Sequence, residues 1–150
     1  MYNIKRTTGE NEDFKLLVTL LDKDLEIRNG DEQVFYTQFN SIDMIRNVVV
    51  AYDGDLPVGC GAFKEIGPQV LEVKRMFVRN EFRGRGIANS LLTELEDWGK
   101  ELSFHKFILE TGIKQQEAVR LYLRAGYDIT PNYGQYIGIE NSICMVKVIG

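Results

Sequence analysis

The sequence predicts a mixed α+β domain. Short runs of β-branched and apolar residues, bounded by turn signals, alternate with segments of helical period. One glycine-rich loop joins a strand pattern directly to a helix pattern. At 150 residues the chain is long enough to bury one core, and residues 1–150 read as a single domain.

The elements follow in order. Tyr2 to Arg6 reads as a first edge strand. Asn11 is a good N-cap, with Glu12 and Asp13 placed favourably in the first turn. Phe14, Leu17, Val18, Leu21 and Leu25 mark an amphipathic face, and Gly30 ends that helix. Between residues 31 and 46, Phe35, Phe39 and Ile42 suggest a short second helix. Val48 to Tyr52 is a strand, Asp53-Gly54-Asp55 a hairpin turn, and Pro57 to Lys64 the returning strand. Gly59 and Gly61 leave room there for close packing. Gly67-Pro68 turns the chain into Val70 to Val78. Ile87, Leu91, Leu92, Leu95, Trp98 and Leu102 then line one face of a helix of about four turns, so Trp98 reads as core rather than as a ligand platform. Lys106 to Thr111 is a short buried strand. Ala118, Leu121, Tyr122 and Ala125 mark another helix, stopped by Gly126 at C′. A Pro131-Asn132-Tyr133-Gly134 loop leads into Ser142 to Ile149, the closing strand.

The most informative stretch is Arg83-Gly84-Arg85-Gly86-Ile87-Ala88, where the strand ends and the helix begins. Glycines allow a tight turn and close approach of the backbone to an anion. The first amides of a helix lack internal partners and sit at the positive end of the macrodipole. This is a plausible pyrophosphate cradle, although a two-glycine loop alone is equally a strand-capping turn. It is not a P-loop, because Gly86 is followed by Ile87 rather than by Lys-Ser/Thr. Nor is it a dinucleotide fingerprint: Ala88 follows Gly86 by two positions instead of three, and the nearest acids (Glu94, Glu96, Glu101) lie on or at the end of the helix that follows.

Composition narrows the function. A net charge of -4 argues against a nucleic-acid binder. Between Glu72 and Gly86, however, five basic residues (Lys74, Arg75, Arg79, Arg83, Arg85) face two acids (Glu72, Glu81), which suits a small polyanion or is an ordinary solvated patch. No run approaches a membrane span, and the N-terminus lacks a signal-peptide core. Cys60 and Cys144 form no metal-like pair and read as buried reduced thiols of a cytoplasmic protein. The single histidine, His105, reads as a surface residue before a strand, so no histidine-based metal cluster is expected.

The pattern Arg-x-x-Gly-x-Ala after a strand resembles the acyl-CoA pyrophosphate loop of the GNAT superfamily of N-acyltransferases. Leu71 to Val78 looks like the fourth strand of that fold, Phe107 to Gly112 like its fifth, and Glu117 to Tyr127 like its fourth helix and exit. The resemblance covers roughly residues 48 to 149. It implies a mostly antiparallel mixed sheet of six to seven strands, splayed between strands 4 and 5 and flanked by about four helices. It also implies acetyl-CoA as co-substrate, with no metal, and direct transfer in a ternary complex to the primary amine of a small molecule. A protein lysine or N-terminal acetyltransferase, and a non-catalytic acyl-CoA-binding module, are the alternatives. Homodimerisation is left open.

The resemblance also places the site. Arg83, Gly84, Arg85, Gly86, Ile87, Ala88 and Asn89 form the cofactor loop, with Arg83 and Arg85 adding charge. Backbone amides of Phe77 and Val78, with Met76 alongside, would polarise the thioester carbonyl past a β-bulge. Gln115 and Gln116 occupy the stretch where relatives contact the pantetheine arm, and Gln116 is the expected contact. Glu72 is the candidate base for the amine, or else an ion-pair partner of Lys74 two residues along the same strand face. Tyr122 is the candidate acid for the departing thiolate, or else a core aromatic. Lys74 or Arg75 could hold a substrate carboxylate in a pocket lined by Tyr133 and Tyr136, which would suit an amino-acid-like acceptor.

Overall fold

A computed structural model describes residues 2–29 and 45–149. The elements, in order, are β1 (Asn3–Thr7), α1 (Glu12–Asn29), β2 (Asn47–Asp53), β3 (Leu56–Gly67), β4 (Val70–Val78), α2 (Ile87–Glu101), β5 (Lys106–Gly112), α3 (Gln116–Arg124), β6 (Asp128–Thr130) and β7 (Ser142–Val148). The second helix expected around Phe35, Phe39 and Ile42, and the stop at Gly30, lie outside the described residues. The short strand β6 was not anticipated: Ile129 is its one apolar residue, too little pattern for a strand signal.

The strands form one seven-stranded sheet in the order β1-β2-β3-β4-β5-β7-β6. Every pairing is antiparallel except β4 with β5. Strand alternation sends one set of side chains to each face. On one face Phe14, Leu17, Val18 and Leu21 of α1 pack on Val48, Val50, Cys60, Ala62 and Phe77. On the other, Ile87, Leu91, Leu92 and Leu95 of α2 pack on Val49, Phe63, Leu71, Val73, Phe107 and Leu109. Fully burying each such side chain contributes roughly 1.5–3 kcal/mol. The N-cap holds as read, with the Phe14 amide donating to Asn11 Oδ1 at 2.9 Å. Trp98 packs against the core edge-on to Phe63, ring centroids 5.7 Å apart, and carries the Arg6 guanidinium over its outer face.

Two irregularities open the sheet. β4 and β5 pair only from Val70 to Val73 against Lys106 to Leu109. Beyond that point β4 stays with β3 while β5 continues with β7. The cause lies in β4. Its register against β3 slips between Cys60 and Ala62, leaving Arg75 and Met76 opposite Gly61. Arg75 takes φ 60°, a left-handed conformation uncommon for a side-chain-bearing residue. The bulge places Lys74 and Arg75 on the α1 face together and swings Met76 toward α2. Gly61 leaves room for this side chain, since a Cβ there would lie 2.5 Å from Met76 Sδ and the methionine would have to shift.

Candidate active site

The splay between β4 and β5 is bridged at its mouth by α3, and two cavities meet there. The larger is a groove of about 830 Å³ between the end of β4, the 83–89 loop and α3. The smaller, about 100 Å³, lies deeper in the opening and is walled by Glu72, Lys74, Arg75, Glu110 and Tyr136. Both are lined by Leu21, Met76, Gln115, Ala118 and Tyr122. A ligand filling the groove and a second in the pocket would therefore touch beside Met76 and Tyr122.

The groove's floor is built by the glycine loop. Gly84 and Gly86 have φ 79° and 83°, and Gly86 is the N-cap of α2. Neither has any protein atom within 4 Å of where a Cβ would stand. Both are thus required by backbone conformation rather than by crowding, and the space above them is open to a ligand. Gly84, Gly86, Ile87, Ala88 and Asn89 all line the groove.

The loop's two arginines diverge. Arg83 lines the groove, its Nε donating to Val78 O at 2.9 Å and its Nη2 lying 3.4 Å from Asp24. Arg85 does not line the groove. Its Nη1 donates to the Tyr2 hydroxyl at 3.1 Å, and its guanidinium lies over Phe82. Instead Arg124, at the last turn of α3, lines the groove.

On β4, the Arg79 amide donates to Val58 O at 2.8 Å. Alternation therefore also directs the Phe77 amide at β3, and turns the Val78 amide toward the side β5 has vacated. Phe77 and Val78 both line the groove, and of their two amides it is that of Val78 that faces the free edge. Gln116 needs a correction. It is the first residue of α3, exposed, and does not line the groove, whereas the N-cap residue Gln115 lines both cavities. Gln115 stands just outside the helix with φ -93° and ψ 66°, so its side chain leaves the backbone in a different direction from that of Gln116.

Glu72 is buried, with 5% of its surface exposed. Its Oε2 accepts from the Tyr133 hydroxyl at 2.6 Å, and its Oε1 lies 3.3 Å from Lys74 Nζ. The ion pair weighed from the sequence is present, and Tyr133 reaches β4 from the loop before β7. Tyr136 is buried, edge-on to Tyr133 at 5.6 Å between centroids. Arg75 Nη1 donates to Asp22 on α1 at 3.0 Å. Tyr122 is 6% exposed and packs edge-on against Tyr127 at 5.8 Å. Burial, then the Glu110 carboxylate, push its hydroxyl above the usual phenol range, so it stays protonated and can donate. Tyr122 is thus both a packed aromatic and a cavity wall.

Glu110 was not singled out from the sequence. It follows Leu109 on β5, and in one dimension it is an ordinary alternation position. The splay turns it into the pocket, where burial, then the neighbouring Glu72, push its carboxyl up to about 7. Arg124 was likewise missed as a groove residue, and Gln115 was named only beside the expected contact Gln116.

The sheet order, the splay and the bulge define an acyltransferase-like architecture, and the comparisons agree. The family model "Acetyltransferase (GNAT) family" matches residues 14–127. The chain belongs to that family. It is 36% identical over 104 residues to "IAA acetyltransferase" of Azospirillum brasilense, covering 69% of this chain and 67% of that protein. It is 32% identical over 104 residues to "Probable N-acetyltransferase 14" of Xenopus tropicalis, covering 69% of this chain but only 50% of that protein. Among solved structures, a Klebsiella pneumoniae protein described as a "putative acyl-CoA N-acyltransferase" superposes with a TM-score of 0.84 at 26% identity, covering 100% of this chain and 99% of that one. PaiA N-acetyltransferase from Thermoplasma acidophilum, solved in complex with coenzyme A, superposes with a TM-score of 0.73 at 15% identity over 99% of each chain and shares the fold.

Proposed function

We propose that the chain is an acetyl-CoA-dependent N-acetyltransferase that moves the acetyl group to the primary amine of a small molecule, directly, with both substrates bound together. The observation that carries this reading is the junction of groove and pocket at Met76 and Tyr122. A double-displacement route would need a nucleophile there. Of the two cysteines, Cys60 is buried on the α1 face and Cys144 lies on β7, and neither lines either cavity. Their buried, unpaired state supports a reducing compartment such as the cytoplasm.

Acetyl-CoA supplies an activated thioester. The 84–89 backbone receives the diphosphate at the N-terminus of α2, with Arg83 and Arg124 alongside. The Val78 amide, on the unpaired edge of β4, donates to the carbonyl oxygen as the nitrogen–carbon bond forms and negative charge develops. Tyr122 gives its proton to the sulfur as the carbon–sulfur bond breaks. The Glu72 carboxylate, held by Tyr133 and Lys74, draws the amine's proton through an ordered water, since both its oxygens already have partners. The small volume of the pocket favours a compact acceptor over a protein segment.

The test is thiol release from acetyl-CoA across a library of primary amines. Tyr122→Phe is expected to lower kcat about 10-fold or more while the acetyl-CoA KM stays within a few-fold, the pattern of an interaction made only in the transition state. Normal turnover with reduced thermal stability would leave Tyr122 as a packing residue alone.

A further inference from the structure

Among the described residues, two buried side-chain polar atoms have no hydrogen-bond partner: Nε of Arg75 and Oε2 of Glu110. Buried polar groups are nearly always satisfied, so each orphan requires an explanation. Both residues wall the same small pocket. One atom is a donor on a cation, and the other is an acceptor on a carboxyl.

The neighbouring charges are already engaged. Lys74 lies 3.3 Å from Glu72, and Tyr133 holds the other Glu72 oxygen. Arg75 is 6% exposed in its side chain and, among the described residues, is anchored to Asp22 through Nη1, while Nε on the opposite edge of the guanidinium has no partner. That edge matches a carboxylate in fork geometry. Glu110 approaches Ser142 on β7 with one oxygen and keeps Oε2 unpaired. A simple amine would satisfy only Glu110, and a polyanion would meet both Glu72 and Glu110.

We propose that the acceptor is a compact aminocarboxylate, its carboxylate bound by the Nε edge of Arg75 and its amine by Glu110. This rests on the acetyltransferase reading and narrows its substrate class. It assigns carboxylate recognition to Arg75 rather than Lys74. It also makes Glu110 the group that brings the amine toward the junction beside Tyr122. Because neither orphan atom is reached by bulk water, a small adjustment on binding would place both contacts where solvent competes little.

The experiment is calorimetry on the CoA-saturated protein with the standard amino acids and, for each, its α-carboxamide. At least one amino acid is expected to bind about 10-fold or more tightly than its carboxamide. Arg75→Lys keeps a positive charge opposite Asp22 but has no Nε–H. It should erase that difference while CoA affinity stays within two-fold, and Glu110→Gln should weaken amino-acid binding about 10-fold. The proposal is overturned if acids and amides bind alike, if no amino acid binds, or if the preference survives in Arg75→Lys. The acid–amide comparison in the unmodified protein decides the matter even where a variant fails to fold. Transfer to amines without any preference for a carboxylate would refute this inference alone. A protein that neither binds CoA nor acetylates any amine would refute the acetyltransferase reading beneath it.

Discussion

The Tyr133 hydroxyl donates to Glu72 Oε2 at 2.6 Å across 61 residues of sequence, tying the loop before β7 to the first half of β4. The bond is short, partly buried and made to a carboxylate, the kind that contributes more than a neutral pair. A double-mutant cycle of Tyr133→Phe and Glu72→Gln should give a coupling of about 2 kcal/mol in urea denaturation. Coupling near zero would mean that the loop is held by packing of Tyr136 instead.

Glu72→Gln also tests the chemistry. If the carboxylate draws the amine's proton, the rate at neutral pH should fall about 10²-fold, and the ascending limb of the pH–rate profile should shift or vanish. A variant with an unchanged limb and nearly full rate would reduce Glu72 to the ion-pair partner of Lys74 and the anchor of Tyr133.

Gly86→Glu should abolish CoA binding in a protein that still folds. Gly86 holds φ 83° with open space about its Cβ position, so a glutamate strains the loop backbone locally without crowding at Cβ and puts negative charge where phosphate is expected. Unchanged CoA affinity by calorimetry would show that the cradle lies elsewhere.

Glu110 should give the unliganded protein a distinctive pH dependence. Its carboxyl is raised by burial to about 7 from an ordinary 4.5. The folded chain therefore keeps a proton that the unfolded chain releases. Its contribution is greatest below pH 4.5, is lost as pH rises to about 7, and is then constant. A separation of about 2.5 pH units corresponds to about 3 kcal/mol. Glu72 and Lys74 from β4, Ser142 and Cys144 from β7, Tyr122 from α3 and Tyr136 from the loop before β7 surround the group. Subtracting the urea stability of Glu110→Gln from that of the unmodified protein, from pH 4.5 to 8, should reveal this fall. A flat difference would place Glu110 in water.

Lys147→Met should destabilise the protein by about 2 kcal/mol without changing CoA affinity. Lys147 Nζ lies 3.2 Å from Glu96 Oε1 and donates to Ala125 O at 2.9 Å, while the Tyr127 hydroxyl donates to Glu96 Oε2 at 2.9 Å. Losing the lysine leaves the buried Glu96 carboxylate with the Tyr127 hydroxyl and removes the bond to Ala125 O just past the end of α3. A change under about 0.5 kcal/mol would show that solvent replaces the cation.

The sequence by itself determined what is local. Apolar and β-branched runs bounded by turn signals located the β2, β3, β4, β5 and β7 strands, helical period the α1, α2 and α3 faces, and Asn11 and Gly126 the ends of two helices. The loop at 83–89 was legible because its glycines fall between a strand pattern and a helix pattern and match the Arg-x-x-Gly-x-Ala spacing, whereas the left-handed φ of Gly84 and Gly86 is visible only in the structure. What only the tertiary structure decided is direction and company. Arg83 and Arg85 are two residues apart and chemically identical, yet Tyr2 and Phe82 draw Arg85 away from the groove. Glu110 looks like any polar residue on a strand until β4 and β5 part and bring it into one pocket with Glu72, Arg75 and Tyr136. No pattern along the chain encodes that meeting, because it depends on a register slip at Arg75 against a strand more than ten residues earlier. The extra residue changes which face each later side chain of β4 occupies, and so which distant groups share a site.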